Sequence, residues 1–170
     1  AANLVQELAK SRHIAKLDAA LAMLPTETKF CKPSLLPHKN LTLFGTTDEQ
    51  KMCVDNKLLD STQKRSEFLQ SYRDKSICVS FEEVAQYNTE KNREIFKNSL
   101  VYIFHDSIDA SGHDGTGKQV VAGCTQAIQE LSILVSKILS SYNVTEVYVT
   151  ADTPTMALSL MIWKWQRKTN

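Results

Sequence analysis

Leu100-Val101-Tyr102-Ile103-Phe104-His105-Asp106-Ser107-Ile108-Asp109-Ala110-Ser111-Gly112-His113-Asp114 is the stretch on which the fold turns. Its opening is an apolar, β-branched and aromatic run of strand length, and its continuation crowds His105, Asp106, Asp109, His113 and Asp114 together. A buried strand that ends in hard and borderline ligands is what a metal or phosphate site at the edge of an open α/β sheet requires.

Working outward, Val120, Val121, Cys124, Ala127, Ile128, Leu131, Leu134, Val135, Ile138 and Leu139 recur on one face of a long helix, expected over 118–141. Residues 144–150 are rich in β-branched side chains and are expected to form a second strand. Strand 100–104, helix 118–141 and strand 144–150 then make a right-handed βαβ crossover, with the two strands parallel and candidates for direct neighbours. Both carboxyl ends reach one edge, which receives the 106–114 cluster and Asp152.

Upstream, Leu4, Val5, Leu8, Ile14, Leu17, Leu21 and Leu24 recur at helical spacing, so residues 2–24 are expected to form one or two amphipathic helices closed by Pro25. The chain starts in mid-element, without a preceding strand or a cap at Ala1, as a fragment would. Residues 38–62 mix turn formers with short apolar pieces at 41–44 and 57–59, a loop-rich excursion with weak strands. A short helix is expected over 62–72 and a brief strand over 76–79. Ser80-Phe81-Glu82-Glu83 has the pattern of a capping box opening a helix through Tyr87, and 89–97 reads as another helix. The tail from Met156 to Trp165 is apolar almost all round and is expected to be a poorly formed or buried helix.

Composition limits the function classes. The chain has 170 residues, 42% of them hydrophobic, enough for one domain with a real core. Twenty basic against nineteen acidic residues give a formal charge of +1, so no global field points to nucleic acid, membrane or acidic partners. Cys31, Cys53, Cys78 and Cys124 lack Cys-x-x-Cys spacing, which fits a reducing, cytoplasmic compartment and makes the sequons at Asn40 and Asn143 accidental. No apolar run reaches the length of a membrane span.

Asp109 and His113, four apart, suit a borderline cation such as zinc or manganese, against the alternative of solvated loop residues. His105 and Asp106 stand where the strand exits; strand-end hydrogen bonding is the plainer role, favoured for Asp106 and left open for His105. Gly112, Gly115 and Gly117 flank Lys118, but the spacing is wrong for a phosphate loop and Gln119 stands where a hydroxyl is needed. Thr26 and Thr28 sit at a helix start, where capping is the commoner role. As a nucleophile, Thr28 would need a metal or base to lower its hydroxyl pKa. Trp163 and Trp165 do not make a stacking platform without a basic groove.

Three stretches, Leu24-Pro25-Thr26-Glu27-Thr28-Lys29-Phe30-Cys31-Lys32-Pro33-Ser34-Leu35-Leu36-Pro37-His38-Lys39, the run from Val101 to Asp114, and Val147-Tyr148-Val149-Thr150-Ala151-Asp152, resemble the PglZ domain of the alkaline phosphatase superfamily in order and spacing. The resemblance implies a partial alkaline-phosphatase-like α/β core over residues 1–152, followed by a divergent tail over 153–170. It implies a metal-dependent phosphatase or phosphodiesterase and a role in BREX phage defence. The expected cofactor is zinc, with manganese as the alternative. The expected partners are other BREX proteins and a nucleic-acid or phosphodiester substrate, with no membrane. Carried over by position, Thr28 is the nucleophile, Asp109 and His113 are a metal pair, and Asp152 opens the Asp-His-Gly-Phe element that binds the other metal. Many relatives carry Asp rather than His at position 113. Two further departures stand out: the family's first strand with its metal-binding Asp is missing, and Thr153-Pro154-Thr155 follows Asp152 in place of His and Gly. An incomplete ligand shell implies an inactive phosphoesterase fragment, with a non-catalytic interaction module or a decayed gene product as the alternatives.

The genetic code sharpens the last departure. Taking each codon's third base with the next codon's first two, Met156-Ala157 must give Gly, Met161-Ile162 Asp, Trp163-Lys164 Glu and Trp165-Gln166 Ala. The free positions permit Asp-His before that Gly and Phe after it, so the tail from about Thr153 is expected to be a frame-shifted Asp-His-Gly-Phe segment. Nucleotide sequencing across codons 150–170 checks this: the shifted frame should encode Asp-His-Gly-Phe, and any other reading ends the idea.

Overall fold

The computed structural model describes residues 2–19, 24, 27–46, 49–105, 117–151 and 158–163. In chain order these form helices α1 (Ala2–Lys10) and α2 (Thr28–Ser34), then strands β1 (Leu41–Phe44), β2 (Lys51–Val54) and β3 (Lys57–Leu58). Helix α3 (Thr62–Tyr72), strand β4 (Ser76–Ser80) and helices α4 (Phe81–Gln86) and α5 (Thr89–Phe96) follow. Strand β5 (Leu100–His105), helix α6 (Gly117–Ser141) and strands β6 (Tyr148–Ala151) and β7 (Leu158–Trp163) complete the described chain. The mixture of helices with a partly parallel sheet is the α/β class expected of a partial alkaline-phosphatase-like core.

The main sheet has the order β4-β5-β7-β6. Strand β5 pairs in parallel with β4 and is buried along its whole length. Its alternate residues serve two cores. Val101 and Ile103 pack with Leu4 and Leu8 of α1, Val84 of α4, Ile95 and Phe96 of α5, and Leu131, Val135 and Ile138 of α6. Leu100, Tyr102 and Phe104 face the opposite cluster of Phe30, Leu36, Met52, Val54, Leu59, Phe68 and Leu69. The result is a sheet covered by helices on one side and by α2, α3 and the β1-β2-β3 meander on the other.

One sheet edge and one helix junction are closed by side chains. The free backbone of β4 is met by α3, where Ser66 Oγ accepts from Cys78 N at 3.1 Å and Gln70 Nε2 donates to the Ser76 carbonyl at 3.1 Å. An edge strand occupied in this way offers fewer groups for outside pairing. Helices α4 and α5 are joined by Asn92, fully buried, whose amide donates to the carbonyls of Val84 at 2.9 Å and Tyr87 at 3.2 Å. The capping box expected at Ser80 is formed: Ser80 Oγ accepts from Glu83 N at 3.1 Å and Glu83 returns to Ser80 N at 2.8 Å.

The meander turns on residues in the left-handed region. Asp55 (φ 45°) and Asn56 (φ 67°) make the tight β2-β3 turn, a conformation that Asn and Asp tolerate better than other side-chain residues. The Asp55 carboxylate also accepts from Lys39 N, from Asn40 N at 2.8 Å and from the Tyr72 hydroxyl, which holds its pKa below the ordinary value and ties the hairpin to α3. Gly45 (φ 115°) ends β1; a Cβ there would stand 2.2 Å from the Glu49 carbonyl oxygen, so only glycine fits.

Four expectations are corrected. Helix α1 stops at Lys10 instead of running to residue 24, because Arg12 (φ 61°) closes a Schellman turn with Arg12 N to Ala9 O at 3.0 Å and His13 N to Leu8 O at 3.2 Å. Residues 13–19 beyond it are non-helical, with Ile14 and Leu17 exposed, and Leu21 lies outside the described residues. Strands β5 and β6 do run in one direction, but β7 lies between them, antiparallel to both. Within the apolar tail, 158–163 is a strand and not a helix, since an extended segment satisfies its backbone between two neighbours. The second strand begins at Tyr148 rather than 144. Strand β2 falls inside the 38–62 excursion, where weak strands are expected, between the two apolar pieces that the sequence singles out.

Core truncation tests the two-sided burial. Ile103→Ala, at a residue with 0% exposure, should cost about 2–5 kcal/mol of stability, while Ile133→Ala, 68% exposed on α6, should stay within about 0.5 kcal/mol. Urea unfolding midpoints compare them; equal effects would contradict the burial described.

Candidate functional site

Strands β4, β5 and β6 share one direction, so Ser80, His105 and Ala151 end at one edge of the sheet. The register there is specific: His105 and Ala151 both pair with Leu158, the first residue of β7. With neighbouring strands about 4.8 Å apart, the points where the chain leaves β5 and β6 lie roughly 10 Å from each other. Asp109, His113 and Asp152 belong to the segments that leave from these two points, and the three residues themselves, with Thr26, Asp106, Asp114 and the 106–116 glycines, lie outside the described residues. Among the described residues no group of three or more His, Cys, Asp or Glu side chains could hold a metal ion.

Thr28 is the first residue of α2 and is half-buried. It is not the cap: Glu27 occupies that position, extended and without a side-chain capping bond. The path of α2 follows from two contacts with β5. Near its C-terminal end the Tyr102 hydroxyl donates to the Leu35 carbonyl at 3.2 Å, and one turn earlier Lys32 Nζ lies 5.8 Å from the centroid of the Phe104 ring. Stepping back along α2 thus advances along β5 toward its carboxyl end, and Thr28 is one further turn on, about 6 Å along the helix axis. Burial keeps the Tyr102 phenol protonated by raising its pKa, which preserves it as the donor in this link.

Phe104 carries two cations. The Arg65 guanidinium lies 4.6 Å from its ring centroid, beside Lys32, and Arg65 Nη2 donates to Thr62 Oγ1 at 3.2 Å. Cation–π contact and a hydrogen bond hold positive charge near the end of β5. Sequence reading missed both residues. Lys32 looked like part of a polar, proline-bounded loop, and nothing local announces a lysine only 8% exposed.

His105, left open from the sequence, has a buried side chain on the α6 face of β5. Its ring stands edge-on to Phe81 with centroids 4.3 Å apart, and Nε2 is 3.4 Å from Glu130 Oε2. This is a strand-end contact to two helices, on the sheet face opposite α2. Below the site, burial pushes the Cys78 thiol up to about 12, and Cys31 of α2 is equally enclosed.

The family described as the BREX system PglZ alkaline phosphatase-like domain matches residues 1–156. The alkaline phosphatase-like protein BrxZ of Escherichia coli O9:H4 (strain HS) is 27% identical over 145 residues, covering 84% of this chain and 16% of the relative. The chain therefore spans about a sixth of the length of that curated relative. No solved structure matches.

Thiol chemistry checks the layer beneath the site. In the native protein Cys31 and Cys78 should resist a neutral aromatic disulfide reagent, and Cys53 and Cys124, half-buried, should react first. Mass mapping after brief exposure reads the order, and early labelling of Cys78 would contradict it.

Proposed function

This chain belongs to the BREX system PglZ alkaline phosphatase-like domain family, and we propose that it carries one side of a metal-dependent phosphoester-cleaving site. The observation that carries the reading is the shared sheet edge. Two strands ending in register on either side of Leu158 lead directly into the segments holding Asp109, His113 and Asp152, and α2 brings Thr28 toward the same end of β5.

In this reading Thr28 Oγ is the nucleophile, Asp109 and His113 hold one divalent metal, and Asp152 holds a second. Two carboxylates and an imidazole are a donor set that suits zinc, or manganese as the alternative. When bound, such ions lower the pKa of a nearby hydroxyl and neutralise charge on phosphoryl oxygens. The chain's own contribution is placement and field. Helix α2 fixes Thr28 through the Tyr102–Leu35 hydrogen bond, and Lys32 and Arg65 set a positive potential that favours an anionic ester near the end of β5. The site works within a BREX-type defence complex, in the cytoplasm, on a phosphodiester or nucleic acid. No helix among the described residues is long and apolar enough to cross a membrane.

The chain alone is inactive in this reading, because Thr153-Pro154 stands where the family has the His and Gly of Asp-His-Gly-Phe. The same departure favours the second reading, a non-catalytic module that keeps the fold for assembly with other BREX proteins.

Calorimetric titration of the purified chain with zinc, beside hydrolysis of bis(4-nitrophenyl) phosphate, separates the possibilities. Zinc should bind and weaken at least tenfold in Asp109→Ala and His113→Ala, with Thr28→Ala unchanged and turnover negligible. Binding indifferent to both substitutions would remove the metal site. Chelator-sensitive turnover lost in Thr28→Ala would overturn the inactivity and keep the enzyme.

A further inference from the structure

A groove of about 400 Å³ opens beside α2, walled by Lys29 and Pro33 of that helix, by the β2-β3 hairpin and by Arg65 of α3. This is the lower range for sites that take small organic ligands. Its floor is apolar, with Pro33, Met52 and Leu59 buried beneath the opening and Leu58 partly exposed in it. Its rim carries three cations, Lys29, Lys51 and Arg65, against two carboxylates, Glu49 and Asp60. Asp60 is engaged by Lys64 at 2.8 Å and Lys29 by Glu27 at 2.9 Å, both partners outside the groove, which leaves Lys51 and Arg65 against Glu49, so the rim is positive on balance.

Apolar floor and cationic rim together select one ligand chemistry. A simple anion such as phosphate gains nothing from the floor, and a neutral ring gains nothing from the rim. A planar apolar group joined to a phosphate satisfies both. We propose that this groove seats the aryl or nucleobase substituent of a phosphate ester, with the phosphate held at the rim. The placement rests on the reading of Thr28 as nucleophile: Thr28 is the first residue of α2, and Lys29 and Pro33 of the same short helix wall the groove, so an ester cleaved at Thr28 would have the groove within reach of one substituent. The elements that build it, α2, β2, β3 and α3, are joined by the core under Phe104 and by the Asp55–Tyr72 link, so the groove exists without a ligand.

Isothermal titration of the full chain with adenosine 5′-monophosphate, 4-nitrophenyl phosphate, adenosine and inorganic phosphate tests this without needing turnover. At least one of the two esters should bind at least tenfold more tightly than adenosine or phosphate, and their ratio tells a nucleobase from a simple aryl group. Lys51→Glu, at an exposed residue of the rim, should weaken ester binding about tenfold, and Lys51→Arg should restore it; thermal melting confirms that both variants fold. Absence of ester binding, or binding unchanged by Lys51→Glu, overturns the groove whatever the zinc titration gives. Conversely, ester binding sensitive to Lys51 alongside zinc binding indifferent to His113→Ala would uphold the groove and fail the metal site.

Discussion

A strand with no exposed face has to be covered twice, and that requirement at β5 organises everything around it. Val101 and Ile103 cannot be buried by the same elements as Leu100, Tyr102 and Phe104, because successive side chains leave opposite faces of a strand. One set draws α1, α4, α5 and α6 onto the sheet. The other draws α2, α3 and the meander. Each large side chain so enclosed contributes about 1.5–3 kcal/mol relative to exposure, so both layers are strongly driven. The consequence for the site is positional. α2 is held where it is by the aromatic face of β5, and Thr28 comes with it.

Polar closure is finer than apolar closure in this fold. The edge of β4 is satisfied by Ser66 and Gln70, the α4–α5 turn by Asn92, and the meander by Asp55. Each replaces water at a backbone group with a side chain from a neighbouring element. Such bonds contribute only about 1 kcal/mol net apiece, but they fix which surfaces meet. The groove beside α2 owes its walls to this kind of link, as the carboxylate of Asp55 binds the loop before β1 to the end of α3.

Legibility in the sequence followed the locality of the cause. Residues 62–72, the box at Ser80 and the strand at residue 100 were readable, because helix caps and apolar periods act over a few residues. The end of α1 was not, since the apolar period continued past Lys10 and the turn lay in the backbone of Arg12, a residue with no strong left-handed preference. The place of β7 was not either, because a strand inserted between two others is decided by distant partners. For the site, the family motif named Thr28, Asp109, His113 and Asp152, and the shared edge for the last three followed from the crossover. Lys32 and Arg65 could not be read, because their meaning arises only where α2 and α3 meet over Phe104.

The register of β7 also has a bearing on time. Its pairing with β6 joins residues close in the chain, beginning at Ala151 and Leu158, whereas its pairing with β5 joins residues more than fifty apart. Closing the longer loop costs about 2 kcal/mol more in chain entropy, so the β6-β7 ribbon is the cheaper unit to assemble first. Docking that ribbon against β5 is then what brings the exit of β6 alongside the exit of β5. The edge from which the chain departs after β5 and after β6 is, by this ordering, among the last parts of the molecule to come into being.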